Sequence, residues 1–212
     1  MDGFLNKDGK IVVDNLILVI QKNKEYLSEI DGLIGDGDHG INMNKGFTMC
    51  QERIKDEDIS MSEALKSLGR VLLMEIGGSM GPLYGKFFSS MAKKSKDESI
   101  IDKNVYKDML KDAITGISEL GGAKVGDKTL MDVLIPASEA YEKAIDDGKD
   151  FAGCLQDMKT AAEAGWLSTK DLVSKIGRSS RLGERSKGVL DAGATSCNLI
   201  LQSMADTFKS LI

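Results

Sequence analysis

Three aspartates crowd into the stretch DGLIGDGDHG: Asp31, Asp36 and Asp38, followed by the only histidine of the chain, His39. Two carboxylates about 5 Å apart repel by roughly 3 kcal/mol at an effective dielectric near 20. Three that converge need protons or a cation between them. Hard oxygen donors at this spacing can hold a divalent metal such as Mg²⁺. The alternative is a solvated acidic turn, with Asp31 or Asp38 capping a helix and His39 a satisfied neighbour.

Other metal patterns fail on detail. An EF-hand begun at Asp36 needs a glutamate where Phe47 stands. Zinc needs more histidine or cysteine than His39 provides. In GGAKVGDKT, the stretch nearest to a Walker A loop, Asp127 occupies the place of the lysine.

Four polar, glycine-rich junctions stand before helical patterns: IGDGDHGINMN, GGSMGPLYG, GGAKVGDKT and GRSSRLGERSKGVLDAGA. In a bundle of alternating helices such junctions gather at one end. Helix starts there present unpaired N–H groups and positive dipole ends to an anion, and glycine lets the backbone approach it. Carboxylates beside an anion site make sense when a divalent metal joins them, most often Mg²⁺ on a nucleotide phosphate.

The elements that must position these residues are helical. Leu16, Ile17, Ile20, Leu27 and Ile30 line one face of a helix running into the acidic stretch, and Met43, Phe47, Cys50 and Ile54 continue after it. Further patterns end at Gly77-Gly78 and at Gly121-Gly122, and Pro82 suits a first helical turn. Pro136 lies inside a helical pattern and predicts a kink or short break. The count reaches about eight helices, with almost no strand signal. The segment from Ser174 to Gly193 lacks periodicity and carries Arg178, Arg181 and Arg185. Loops longer than about 12–15 residues are usually functional or disordered. One all-α domain over residues 1–212 is expected.

Composition narrows the partners. Hydrophobic residues make up 42% and charged residues 29%, a globular balance, and the net charge of −5 gives no general attraction to nucleic acid or anionic membrane. No apolar run approaches the ~20 residues that span a bilayer, and the N terminus lacks signal-peptide order. Cys50, Cys154 and Cys197 are too scattered for a disulfide framework. A cytoplasmic location is expected.

Taken in order, DGLIGDGDHGINMNKGF, GGSMGPLYG, GDKTLMDVLIPA and GRSSRLGERSKGVLDAGATS resemble the motif set of the dihydroxyacetone kinase L-type, nucleotide-binding subunit family. The resemblance implies an antiparallel eight-helix barrel with nucleotide and metals at one mouth. It implies bound ADP, with ATP during turnover, and two Mg²⁺ held by Asp31, Asp36 and Asp38. Nucleotide contacts carry over to His39, Gly40, Ile41 and Asn42, to Ser79, Met80 and Gly81, and to Gly122 and Thr129, with Met131 beside the adenine. Arg178 and the turn of Asp191, Ala192 and Gly193 match the last motif. Arg178 and Asp36 are the candidates for the transfer step itself.

Free-standing subunits of this family imply a phosphotransferase-system kinase acting on a small ketose. A phosphohistidine protein recharges the bound ADP, a separate K-type subunit holds the substrate, and some members engage transcription regulators. Two departures from the family stand out: Met80 replaces a serine, and residues 188–193 lack a usual histidine and proline. They leave a nucleotide-bound regulatory paralogue as the alternative.

Overall fold

The computed structural model describes residues 3–212, so the first two residues of the expected 1–212 domain lie outside the described residues. Among the described residues there are nine α-helices: α1 (Lys10–Lys22), α2 (Lys24–Ile34), α3 (His39–Ile54), α4 (Met61–Glu75), α5 (Met80–Ser95), α6 (Lys103–Gly121), α7 (Met131–Asp146), α8 (Phe151–Ser168) and α9 (Ala192–Leu211). Consecutive helices from α3 onward pack side by side, and α9 packs on α1, α2 and α8, which closes the ring.

The ninth helix comes from a break that the apolar periodicity hides. Asn23 leaves helical geometry, at φ −102° and ψ 11°. Its side-chain amide turns back to the Val19 carbonyl at 2.8 Å, a local bond that competes with the helix ladder. Counted as one bent element, α1 and α2 restore the expected eight.

Two other local expectations are corrected. A short antiparallel ribbon pairs β1 (Gly3–Leu5) with β2 (Ile100–Asp102), and three residues are too few to show alternation in sequence. The short break that Pro136 allowed does not occur, and α7 runs through the proline. Its ring removes the donor to the Asp132 carbonyl. Gly165 of α8 lies so close to that oxygen that a Cβ there would overlap it, so helix contact covers the gap.

The core is built from the inward stripes of all nine helices, and one hydrophobic cluster runs from Phe4 to Phe208 and takes in all three cysteines. Edge-to-face rings bind distant helices within it: Tyr106 of α6 meets Tyr141 of α7 at 5.3 Å and Phe208 of α9 at 4.7 Å. Each such buried ring contributes about 1.5–3 kcal/mol through area alone.

At one end of the ring, here the base, α4, α6 and α8 begin. At the other, the mouth, α3, α5, α7 and α9 begin, following the alternation of the chain. The segment expected to be structureless is ordered. It contains 3₁₀ turns from Arg178 to Ser186, broken at Gly183 by a φ of 54°.

Candidate functional site

Every glycine-rich junction of the mouth except the end of α6 borders one pocket of about 220 Å³. The acidic wall comes from the turn between α2 and α3. Asp31 sits in the last turn of α2, and a Cβ at Gly35 would collide with its carboxylate, so this turn needs glycine there. Gly37, at φ 75°, then reverses the chain. Asp31, Asp36 and Asp38 each offer an oxygen within 4.8 Å of the others. At that spacing each pair repels by about 3.5 kcal/mol at a dielectric near 20. Asp31 accepts the His39 amide at 3.2 Å and so helps to close the start of α3. Asp36 pairs with the Arg178 guanidinium. Asp38, the N-cap residue of α3, makes no side-chain cap bond. An all-oxygen carboxylate set with one carboxylate free of hydrogen bonds fits a hard divalent cation.

His39 is not a cation here. Its Nε2 meets the Ser196 hydroxyl of α9 at 2.9 Å, and Ser196 meets the Tyr84 hydroxyl of α5 at 2.6 Å. Tyr84 donates in turn to the Gly193 carbonyl at 3.0 Å. Burial drives the imidazole down to about 4, with Asp31 opposing, so the ring is neutral at pH 7. It positions α3 against α9 and adds no charge.

The second wall is the start of α5. Gly77, Gly78 and Ser79 face the pocket, and Ser79 exposes a hydroxyl that caps nothing. Met80 touches the pocket yet is only 7% exposed and belongs to the core cluster. Gly81 packs so tightly on the Ile76 carbonyl that a side chain would overlap it.

The third wall is the turn before α7. Asp132 accepts the amides of Gly126 at 2.6 Å and Thr129 at 2.7 Å, which fixes a backbone running through left-handed Gly126 and Lys128. Thr129 and Leu130 line the pocket. The fourth wall is the segment 176–179 with Arg178, together with Asp191 and Gly193 at the start of α9. Asp191 caps α9 through the Ala194 amide at 2.7 Å. Burial raises its carboxyl to about 7, with that amide and Lys128 pulling the other way.

Of the residues singled out in sequence, the pocket gathers the three aspartates, His39, Asn42, Ser79, Met80, Thr129, Arg178, Asp191 and Gly193. It does not gather the others. Gly40 is buried where α3 crosses α2, and Ile41 points outward at 53% exposure. Gly122 ends α6 in a left-handed C-cap with open space around it, away from the pocket lining. Met131 is 0% exposed in the core, so no adenine touches it in this conformation. Ala192 is buried between two lining residues. Lys128, Tyr84 and Ser196 were missed. Each reads in sequence as a surface lysine or an ordinary helix residue, and only the fold brings them together.

A family model described as the DAK2 domain matches residues 33–206, which includes Asp36, Asp38 and all later walls of the pocket. The chain belongs to the DAK2 domain family. Curated DAK2 relatives include the ADP-binding subunit DhaL of a PEP-dependent dihydroxyacetone kinase from Escherichia coli K12. It is 36% identical over 190 residues, spanning 88% of this chain and 90% of that protein. The D-erythrulose kinase of Mycolicibacterium smegmatis is 33% identical over 186 residues, 86% of this chain but 32% of that enzyme. Among solved structures, the dihydroxyacetone kinase of C. freundii superposes with a TM-score of 0.71 at 24% identity. That match covers 93% of this chain and 34% of the longer one, and it establishes the shared all-α fold.

Proposed function

We propose that this chain is the ADP-binding, phosphoryl-transferring subunit of a kinase for dihydroxyacetone or a similar small ketose. The observation that carries the reading is one pocket with three carboxylates, Arg178 and several helix starts around it, in a chain that aligns over nearly its whole length with an ADP-binding subunit. A phosphotransferase-system phosphoryl donor follows from the relatives named PEP-dependent and PTS-dependent. The erythrulose kinases extend the candidate substrates to four-carbon ketoses. This chain spans only a third of those enzymes, so a separate subunit holds the ketose in this reading. The continuous cluster from Phe4 to Phe208 supports one domain, and no described helix is long and apolar enough to cross a membrane.

Asp31, Asp36 and Asp38 would hold two Mg²⁺ ions, which would supply the charge neutralisation on which phosphoryl transfer chiefly depends. The start of α5, and the part of the α3 start beyond the amide that Asp31 takes, offer N–H groups to the same anion, with the Ser79 hydroxyl beside them. In this reading Arg178 gives up its pair with Asp36 and turns its positive charge to the transferring group. Gly122 lies outside this pocket, so its part is confined to the adenosine side.

Calorimetry tests the reading directly. Purified protein titrated with ADP should bind in excess Mg²⁺ and fail to bind in EDTA. Absence of binding in both conditions would overturn it.

A further inference from the structure

Lys128 is an anomaly in the pocket wall. It is the single non-glycine residue with positive φ among the described residues, at 62°, and it is 1% exposed. Strained backbone and a buried ammonium are both unfavourable, so the surroundings must compensate. They do so with backbone oxygen. Nζ donates to the Leu172 carbonyl at 3.2 Å and to the Ser186 and Val189 carbonyls at 2.6 Å each. An ammonium has three protons, and all three are engaged. Asp191, Asp132 and Asp171 lie near enough to offset its charge.

The three carbonyls belong to one segment, and Arg178 lies between the first and the second. From Leu172 to Leu190 not one apolar side chain is buried; Ser174 and Ser186 are the buried residues. The segment therefore lacks the hydrophobic anchorage that ordinarily orders a stretch of this length. Its other ties are polar: the Ser174 amide meets the Ser186 hydroxyl at 2.9 Å, the Ser174 and Ser179 hydroxyls meet at 2.6 Å, the Lys175 amide meets the Asp127 carbonyl at 3.2 Å, the Gly188 amide meets the Lys170 carbonyl at 2.7 Å, and Arg178 pairs with Asp36 at the exposed side. A cation hidden under the segment takes the place of a core.

We infer that Lys128 is a positioning residue whose ammonium fastens the 172–189 segment from below and so fixes where Arg178 stands over the acidic wall. The clamp stands on geometry alone; its consequence for nucleotide rests on the function proposed above. The 124–132 turn and the arginine segment then act as one unit, because the same lysine belongs to the first and carries the second.

Limited trypsin digestion of nucleotide-free protein reads the clamp, since Lys175, Arg178, Arg181, Arg185 and Lys187 are cleavage sites within the segment. Lys128→Met keeps the stem and removes the donors, and cleavage there should rise at least ~10-fold while the helices stay protected. Lys128→Arg retains a cation with several donors and should restore most of the protection. Stopped-flow release of ADP in Mg²⁺ should quicken by about 10-fold or more in Lys128→Met. Equal cleavage of wild type and Lys128→Met would overturn the clamp, and faster cleavage with unaltered ADP release would overturn the positioning role. If Lys128→Met does not fold, hydrogen exchange of the wild type decides. The Ser174 and Gly188 amides should be protected without nucleotide, and exchange at the rate of free peptide would overturn the inference. A wild type that fails to bind ADP would refute the kinase reading and leave the digestion result standing.

Discussion

At the base of the ring, α4, α6 and α8 start on Ser60, Asp102 and Asp150, and each side chain accepts from the turn that follows. At the mouth, α3, α5 and α7 start on Asp38, Ser79 and Leu130, none of which caps its own helix; Asp31 takes one amide of α3 and the Thr129 hydroxyl one of α7, while the start of α5 is met by no side chain among the described residues. The mouth also collects three carboxylates with oxygens within 4.8 Å of one another, the one such group among the described residues. Capping contributes about 0.5–2 kcal/mol per helix, so a fold selected for stability alone would cap both ends. What the mouth leaves open is what an anion with its cation would fill. The exception is α9, capped by Asp191, and that carboxylate belongs to the buried group around Lys128.

The most severe way to test this contrast is Asp36→Asn. In the proposed site the three carboxylates share the metal, so losing one should abolish Mg²⁺-dependent ADP binding by calorimetry. The thermal shift that ADP gives the wild type should vanish with it. Retention of wild-type stoichiometry would mean that the three aspartates are a solvated turn. Arg178→Ala follows in size. A charge that acts on the transferring group more than on bound ADP should cost at least ~100-fold in turnover of the reconstituted kinase, with a smaller loss of ADP affinity. Equal losses in both would make Arg178 a binding residue only.

The two serine-position residues at the start of α5 come next. Ser79 exposes a free hydroxyl and Met80 is packed in the core. Ser79→Ala should weaken ADP by about 10-fold, the worth of one hydrogen bond to a charged group. Met80→Ser should leave affinity nearly unchanged and lower the melting temperature, because it opens a cavity and buries a hydroxyl. A tighter ADP complex in Met80→Ser would reverse this assignment and put position 80 on the phosphate.

How much of this was legible in sequence follows a physical line. Helices with long apolar stripes were readable because burial imposes the 3.6 period. The glycine junctions were readable because left-handed or crowded backbone demands glycine, as at Gly35 and Gly37. The break at Asn23 was not, since both halves bury one continuous apolar face. Nor was Lys128, whose carbonyl partners lie 44 to 61 residues away in the chain. Tyr84 and Ser196 escaped for the same reason. Hydrogen bonds between helices leave no local pattern. Pro136 does not break α7, because Gly165 packs against the carbonyl it leaves without a donor.

Asp191 gives the contrast a pH axis. Its folded carboxyl is raised from 3.8 to about 7 by burial. A raised folded value means a contribution that is complete below the unfolded value and is lost as pH rises through the folded one. Between about pH 4 and 7, wild type should therefore lose stability relative to Asp191→Asn as the pH rises. The difference in melting temperature between the two should change by roughly 5 °C or more over that range. A difference that stays flat would show that Asp191 ionises normally beside Lys128.

The smallest effect belongs to the base. Ser60 and Glu63 form a reciprocal cap, with the Glu63 amide 3.3 Å from the serine hydroxyl and the Ser60 amide 2.9 Å from the carboxylate. Ser60→Ala removes one half of it, at a cost of about 1 kcal/mol. In a domain of this size that is a fall of roughly 2–4 °C in melting temperature. The site lies at the opposite end of α4 from the pocket, and nothing in it faces the mouth. ADP affinity and turnover should therefore match wild type within error once the protein is folded. If Ser60→Ala instead weakened ADP as much as Ser79→Ala, the two ends would be coupled through α4. The uncapped helix starts would then be one part of a shared balance along the barrel, and their openness could no longer be assigned to the ligand alone.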